Sequence, residues 1–185
     1  MKIHDLFSTK LFEFECNLNL SNLKKECLDF QSKTDGDVIS NVGGYQGSGF
    51  ENDDLNSAIA DTIRTFMINS KPISTAEVYS WVNINKPGSW NKRHIHDPHD
   101  GTFLSGVFYV VVPENSGSIN FYDPRPHIQT SLDMKYFSGI DGCISYNPKP
   151  NSMLIFPSWL EHDVSQNNSQ EDRITIAFNL FNVKY

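Results

Sequence analysis

A mainly β fold with flanking helices is predicted, an antiparallel jelly-roll (double-sheet) barrel with two amino-terminal helices packed outside it. Three observations carry this. Short runs of β-branched and aromatic residues, broken by Gly, Pro and Asn turns, recur from residue 73 onward, and seven or eight can be counted. Two stretches of helical periodicity precede them. The run FLSGVFYVVV from Phe103 is apolar on both faces, as a central strand must be. At 185 residues the chain is most simply one domain, residues 1–185, with 1–72 as a helical support region and 73–185 as the jelly-roll core.

Asp5 to Phe14 alternates apolar residues and reads as a short edge segment. Leu20, Leu23 and Cys27 then fall at i, i+3 and i+7, a helical face that starts near Ser21 as its cap and ends by Lys33. From Ser32 to Asn52 the chain is rich in Gly, Ser, Asn and Asp and reads as a loop. Its glycines around Tyr45 do not make a phosphate cradle, because no Lys-Ser/Thr pair closes the stretch and no clear strand precedes it. After Asp53 and Asp54, the stripe Leu55, Ile59, Ile63, Phe66 and Met67 marks a second helix packed on the back of a sheet.

Strand texture begins at Ile73. STAEVYSWVNIN puts Val78, Ser80, Val82 and Ile84 on one face and Tyr79, Trp81 and Asn83 on the other, and Pro87-Gly88 ends it. A histidine-bearing stretch follows, then a turn from Pro98 to Gly101 and the central strand. Pro113 to Gly117 is a turn, SINFYD a strand, and Asp123 to Pro126 a second break that an ion pair between Asp123 and Arg125 would fix. His127 to Pro150 is irregular, a hairpin or a lid. SMLIFP and RITIAFNLF supply two more strands, separated by a loop with Asn167, Asn168 and Ser169.

Composition narrows the function. The net charge of −7 and pI near 5.2 leave no basic field to gather phosphates, which excludes a general nucleic-acid or anionic-membrane binder. No apolar stretch approaches the roughly 18 residues of a membrane span, and the first residues lack the layout of a signal peptide. A soluble, cytoplasmic protein is expected. Cys16, Cys27 and Cys143 are odd in number and lack metal-type spacing, so they read as reduced structural thiols.

The chemistry concentrates in WNKRHIHDPHDGTFLSGVFY, Trp90 to Tyr109, which holds three of the six histidines. Residues two apart on a strand share a face, so His94 and His96 aim both imidazoles at one point, the arrangement a metal ion needs. The best third donor is His162 in FPSWLEHDV. Asp97 has the opposite parity on a continuing strand but swings inward if the strand ends at His96, which makes it the alternative carboxylate ligand. His99 and Asp100 read as supporting or solvent groups, and His4 and His127 as ordinary surface or core histidines. Arg173 shares a strand face with Thr175, and an inward arginine in a small barrel needs an anionic partner. That partner is either Glu171, Asp172 or Glu161, or the carboxylate of a metal-chelating cosubstrate held by the planar guanidinium fork. Trp81, Asn83 and Trp90 are placed near the same mouth, either shaping the substrate side or simply packing.

His94-x-His96, then LSGVFYVVVP, SGSINFYDPR, LIFPSWLEHDV and RITIAFN, resemble in order and spacing the iron(II)- and 2-oxoglutarate-dependent oxygenases of the small bacterial and phage type, relatives of the prolyl hydroxylases. The opening LFSTKLFEF is similar to that family's start, and the likeness is densest from Trp81 to Asn179. The resemblance implies a double-stranded β-helix, Fe(II) held by His94, His96 and His162, and 2-oxoglutarate chelating the metal. It further implies that the cosubstrate's far carboxylate meets Arg173, with Thr175 and Tyr109 as hydroxyl partners. O2 would be consumed, with succinate and CO2 released and a small-molecule or protein side-chain substrate oxidised. One departure stands out: most of the wider superfamily uses His-x-Asp or His-x-Glu, and this chain has His-x-His, which the closer family shares.

Two other classes fit the same residues. A cupin-like dioxygenase or metal hydrolase with three histidines needs no 2-oxoglutarate, and a non-catalytic jelly-roll binding module would hold a structural metal. Following succinate with Fe(II) and 2-oxoglutarate added separates them.

Overall fold

The computed structural model describes residues 2, 8–68, 71–97, 101–125 and 142–184. His4, His99, Asp100, His127 and most of the segment read as a hairpin or lid lie outside them. Two antiparallel sheets make the body. The larger has six strands in the order β1 (Phe12–Glu15), β11 (Ser152–Pro157), β8 (Leu104–Val111), β13 (Arg173–Lys184), β6 (Thr75–Asn85) and β3 (Tyr45–Ser48). The smaller has five, β10 (Cys143–Tyr146), β9 (Ile119–Tyr122), β12 (His162–Val164), β7 (Trp90–His94) and β2 (Asn41–Val42). A separate ladder joins β4 (Met67–Ile68) to β5 (Lys71–Pro72). No described strand of the larger sheet pairs with one of the smaller, so the barrel is not closed by hydrogen bonds.

The larger sheet is buried on both faces. On one, helices α1 (Leu20–Gln31) and α2 (Asp53–Ile63) set Leu23, Cys27, Leu55, Ile59 and Ile63 into the cluster of Val82, Ile84, Phe108, Ile174, Ile176 and Phe178. On the other, Val107, Tyr109, Leu154 and Phe156 meet Ile119 and Phe121 of the smaller sheet. This double burial is why β8, third in from one edge, reads as a continuous apolar run.

Both helices begin where an asparagine caps them. Asn19, not Ser21, caps α1, its side chain accepting from the Asn22 N–H at 3.1 Å. Ser and Asn cap about equally well, so the choice between neighbours was left to the chain's path into the helix. Asn52 caps α2 through the Leu55 N–H at 2.8 Å, with Asp53 and Asp54 favourably placed on the first-turn dipole. α2 stops at Ile63, so Phe66 reaches the core from the connection and not from the helix.

The glycine-rich stretch is not a plain loop. β2 pairs with β7 in the smaller sheet and β3 with β6 in the larger, so Asn41 to Ser48 crosses from one sheet to the other. Gly43 takes φ +74°, and a Cβ on Gly44 would sit 2.8 Å from the Ile84 carbonyl, so the crossing needs glycine at both positions. Residues 1–72 therefore lend three strands to the sheets besides their two helices.

Candidate active site

The cavity lies between the sheets, and β6, β13 and β8 build its floor. Their alternation sends Ile84, Ile176 and Phe108 to the helix side and Trp81, Asn83, Asn85, Arg173, Thr175, Ala177, Val107 and Tyr109 into the cavity. Register sets them in rows: Arg173 opposite Asn85, Thr175 between Asn83 and Tyr109, Ala177 between Trp81 and Val107. A bulge between Ile174 and Thr175 in the β13–β8 ladder brings Tyr109 level with Thr175.

The facing wall carries the histidines. His94 and His162 are direct cross-strand partners on β7 and β12, ring centroids 4.4 Å apart. β7 ends at His94, so His96 is not on the strand as the parity argument had it. Its backbone N–H bonds the Ser158 carbonyl at 3.0 Å, and its ring lies 5.5 Å from Trp81 and 5.2 Å from His162. The three imidazoles offer donor atoms that all lie within 4.8 Å of one another. Asp97 is exposed and is not one of the grouped donors.

Backbone carbonyls fix two of the rings. His94 Nδ1 lies 2.6 Å from the Lys92 carbonyl and His162 Nδ1 2.8 Å from that of Leu160. Nδ1–H then donates, and Nε2 is left as a lone-pair donor. Burial drives the His162 imidazole down to about 3 and lowers that of His94, so both stay neutral near pH 7. Behind them, Arg93 pairs with Glu161 and covers the Tyr122 ring at 3.6 Å, while Tyr122 and Asn120 both donate to Asp163 at 2.6 Å. These contacts lock β12 between β7 and β9.

Arg173 is buried, 3 % exposed, at the inner end of the cavity. Among the described residues no ion pair joins it to Glu171, Asp172 or Glu161, and Glu161 is engaged with Arg93. Its Nε, the Tyr109 hydroxyl and Asn83 Oδ1 are buried without hydrogen-bond partners among the described residues, and its guanidinium carbon is 5.5 Å from the Tyr109 ring centroid. Burial lowers the guanidinium pKa and raises that of the Tyr109 phenol, with each group's charge opposing the shift in the other. A lone buried cation beside unsatisfied hydroxyl and N–H donors is a cradle for a carboxylate. The three grouped imidazoles and this cradle face one cavity, so the residues fit a divalent iron chelated by a dicarboxylate.

Trp81 and Asn83 line the cavity, whereas Trp90 is 40 % exposed and does not. Asp123 and Arg125 form the local pair expected of them, with two side-chain contacts of 2.7 and 2.9 Å. Sequence reasoning missed Asn85, Asn91 and Ser40, which line the cavity as a chain: Asn85 Nδ2 donates to Asn91 Oδ1 at 2.9 Å and Asn91 Nδ2 to Ser40 Oγ at 3.2 Å. The signal available was Asn85 two residues after Asn83, continuing a polar face on an otherwise apolar strand.

The fold is shared with solved oxygenases. A Pseudomonas putida prolyl-4-hydroxylase matches with a TM-score of 0.64 at 14% identity, over 94% of this chain and 93% of that one. A Trichoplax adhaerens prolyl hydroxylase, solved with a hypoxia inducible factor peptide fragment, gives 0.66 at 16%, over 92% and 83%. The viral collagen prolyl hydroxylase of Paramecium Bursaria Chlorella virus-1, solved with 2OG, gives 0.55 at 15%, over 92% and 94%. These have the double-stranded β-helix fold. No curated protein matches the chain by sequence. The family described as "Putative 2OG-Fe(II) oxygenase" matches residues 79–179, more than half of the chain and the whole span from Tyr79 through the three histidines to Asn179, and the chain belongs to that family of iron(II)- and 2-oxoglutarate-dependent oxygenases.

Proposed function

We propose that His94, His96 and His162 hold the Fe(II), that Arg173 with Thr175 and Tyr109 holds 2-oxoglutarate, and that the chain hydroxylates a small molecule or a protein side chain. The observation that carries this is the pairing, across one cavity, of three grouped imidazoles with a buried arginine that has no carboxylate partner among the described residues. We read residues 1–185 as one working domain of a bacterial or phage protein acting in the cytoplasm. The sequence resemblance and the acidic composition support that setting, and no described helix is long and apolar enough to cross a membrane.

Together, Fe(II), 2-oxoglutarate and O2 supply the oxidising chemistry, releasing succinate and CO2 as the substrate is oxidised. The chain's part is binding and exclusion. The Lys92 and Leu160 carbonyls fix the tautomers of His94 and His162, so no proton must leave those rings before metal binds. Arg173, fixed by the β13–β6 ladder, gives the cosubstrate a single orientation. Val107, Ile119 and Phe156 line the walls with apolar surface and keep water from the reacting centre.

The test is an anaerobic Fe(II) titration with and without 2-oxoglutarate, watching for the weak visible charge-transfer band of the chelate. A band that needs both components and vanishes in Arg173→Ala is the expected result. Metal binding with no band would favour the cupin-like three-histidine reading instead.

A further inference from the structure

His162 stands between two carboxylates in the sequence, Glu161 and Asp163, and the fold engages them differently. Glu161 is paired with Arg93. Asp163 makes no ion pair with a described residue. On β12 His162 faces the cavity, so Asp163 faces the outer side of the smaller sheet. There it lies opposite Asn120 on β9, whose neighbours Ile119 and Phe121 face the core.

Two uncharged donors hold the carboxylate in place. Asn120 Nδ2 donates to one of its oxygens and the Tyr122 hydroxyl to the other, each at 2.6 Å. The second length is that of a hydroxyl bonded to an ionised carboxylate. Asn120 is itself tied to the Ser165 hydroxyl at 2.8 Å, and Arg93 covers the Tyr122 ring. A negative charge is thus fixed directly behind the histidine wall. It acts on the His94 ring, where it favours positive charge.

We propose that Asp163 supplies, across β12, the negative charge that the three-histidine centre lacks among its donors, and so strengthens its hold on a divalent cation. This inference rests on the metal centre proposed above. Asp163 reaches the metal through its charge and its fixed position, without ligating it. Holding β12 in place needs no charge at all. An asparagine at this position would keep both bonds, its carbonyl accepting from Asn120 and its N–H donating to the Tyr122 oxygen. The charge is what the packing does not use, and a metal ion is what would use it.

The experiment is an anaerobic competition for Fe(II) between the full chain and a colorimetric chelator. Asp163→Asn should bind about tenfold more weakly than the wild type at low salt. The difference should shrink as KCl is raised. The Fe(III)/Fe(II) potential of the variant should move upward, because a lost negative charge destabilises the ferric ion more than the ferrous. Asn120→Asp combined with Asp163→Asn returns the carboxylate to the facing position of the ladder and should recover most of the affinity. Binding that His162→Ala loses but Asp163→Asn leaves unchanged overturns this inference alone, as does equal loss in the single and the double variant. A wild type that holds no Fe(II), or that His162→Ala does not weaken, overturns the three-histidine centre and this inference with it.

Discussion

His94 and His162 face each other across the β7–β12 ladder, 68 positions apart in the chain and 4.4 Å apart between ring centroids. Burial and two neighbouring imidazoles hold the His162 pKa at about 3, against about 6.5 for a free histidine. Between those values the unfolded chain takes up a proton that the folded chain refuses. The stability of the metal-free protein is therefore full above about pH 6.5 and falls as pH drops toward 3, by up to roughly 1.4 kcal/mol per pH unit. Urea midpoints of chelator-treated protein between pH 4 and pH 7 check this. His162→Gln should flatten the profile and weaken Fe(II) binding by at least the roughly 10–100-fold that loss of a mere supporting partner costs. An unchanged slope in the variant would remove His162 as its source.

Arg173 should trade stability for function. It is buried without a carboxylate partner among the described residues, a state that costs free energy until an anion arrives. Arg173→Met keeps most of the volume and removes the charge. Without ligand the variant should be more stable than the wild type by roughly 1–3 kcal/mol. Adding 2-oxoglutarate with Fe(II) should raise the wild-type melting temperature and leave the variant's unmoved. Equal shifts in the two proteins would show that the cosubstrate is held elsewhere.

The larger sheet was legible because its alternation is strict. Arg173 and Thr175 separate from Ile174 and Ile176 by parity alone, as Trp81 and Asn83 do from Val82 and Ile84, and the cavity face follows. The smaller sheet was legible only in part, through SINFYD (β9) and the histidine stretch (β7). β12 is three residues long and β2 two, too short for any period to show. His162 was found through its residue type and surroundings, and its strand was missed. Glycines hid β2 and β3, since the residues that let the chain cross between sheets are those that argue against strands. Ser105 and Asn179 are 74 positions apart, and only the β8–β13 register makes them a pair.

Gly106 should tolerate no side chain. It lies opposite Phe178 in the β8–β13 ladder, and a Cβ there would fall 2.2 Å from Phe178 Cζ and 2.9 Å from the Leu154 carbonyl oxygen. The carbonyl belongs to a central ladder and cannot retreat. Gly106→Ala should cost roughly 1–3 kcal/mol by overpacking, read as a lowered urea midpoint with an unchanged slope. Adding Phe178→Leu should restore part of it. Full stability in the single variant would mean that the sheet opens at this point more easily than its two-sided burial implies.

His96 is the member of the trio that lies beyond β7, set by the Ser158 carbonyl, by stacking on His162 and by a tilted ring contact with Trp81. With three imidazoles as its donors the site offers iron no negative charge, unlike the two-histidine, one-carboxylate arrangement. His96→Asp restores that charge at a position just past β7 that already lies beside the other two donors. Fe(II) affinity should rise by roughly tenfold, equivalent to about 1.4 kcal/mol. Competition against a colorimetric iron chelator under anaerobic conditions measures it. His96→Ala, which removes the donor and adds no charge, should bind more weakly than the wild type in the same assay. Should Asp and Ala weaken binding alike, the wall formed by Trp81 and His162 is shaped for an imidazole, and the ring's reach outweighs the added charge at this position.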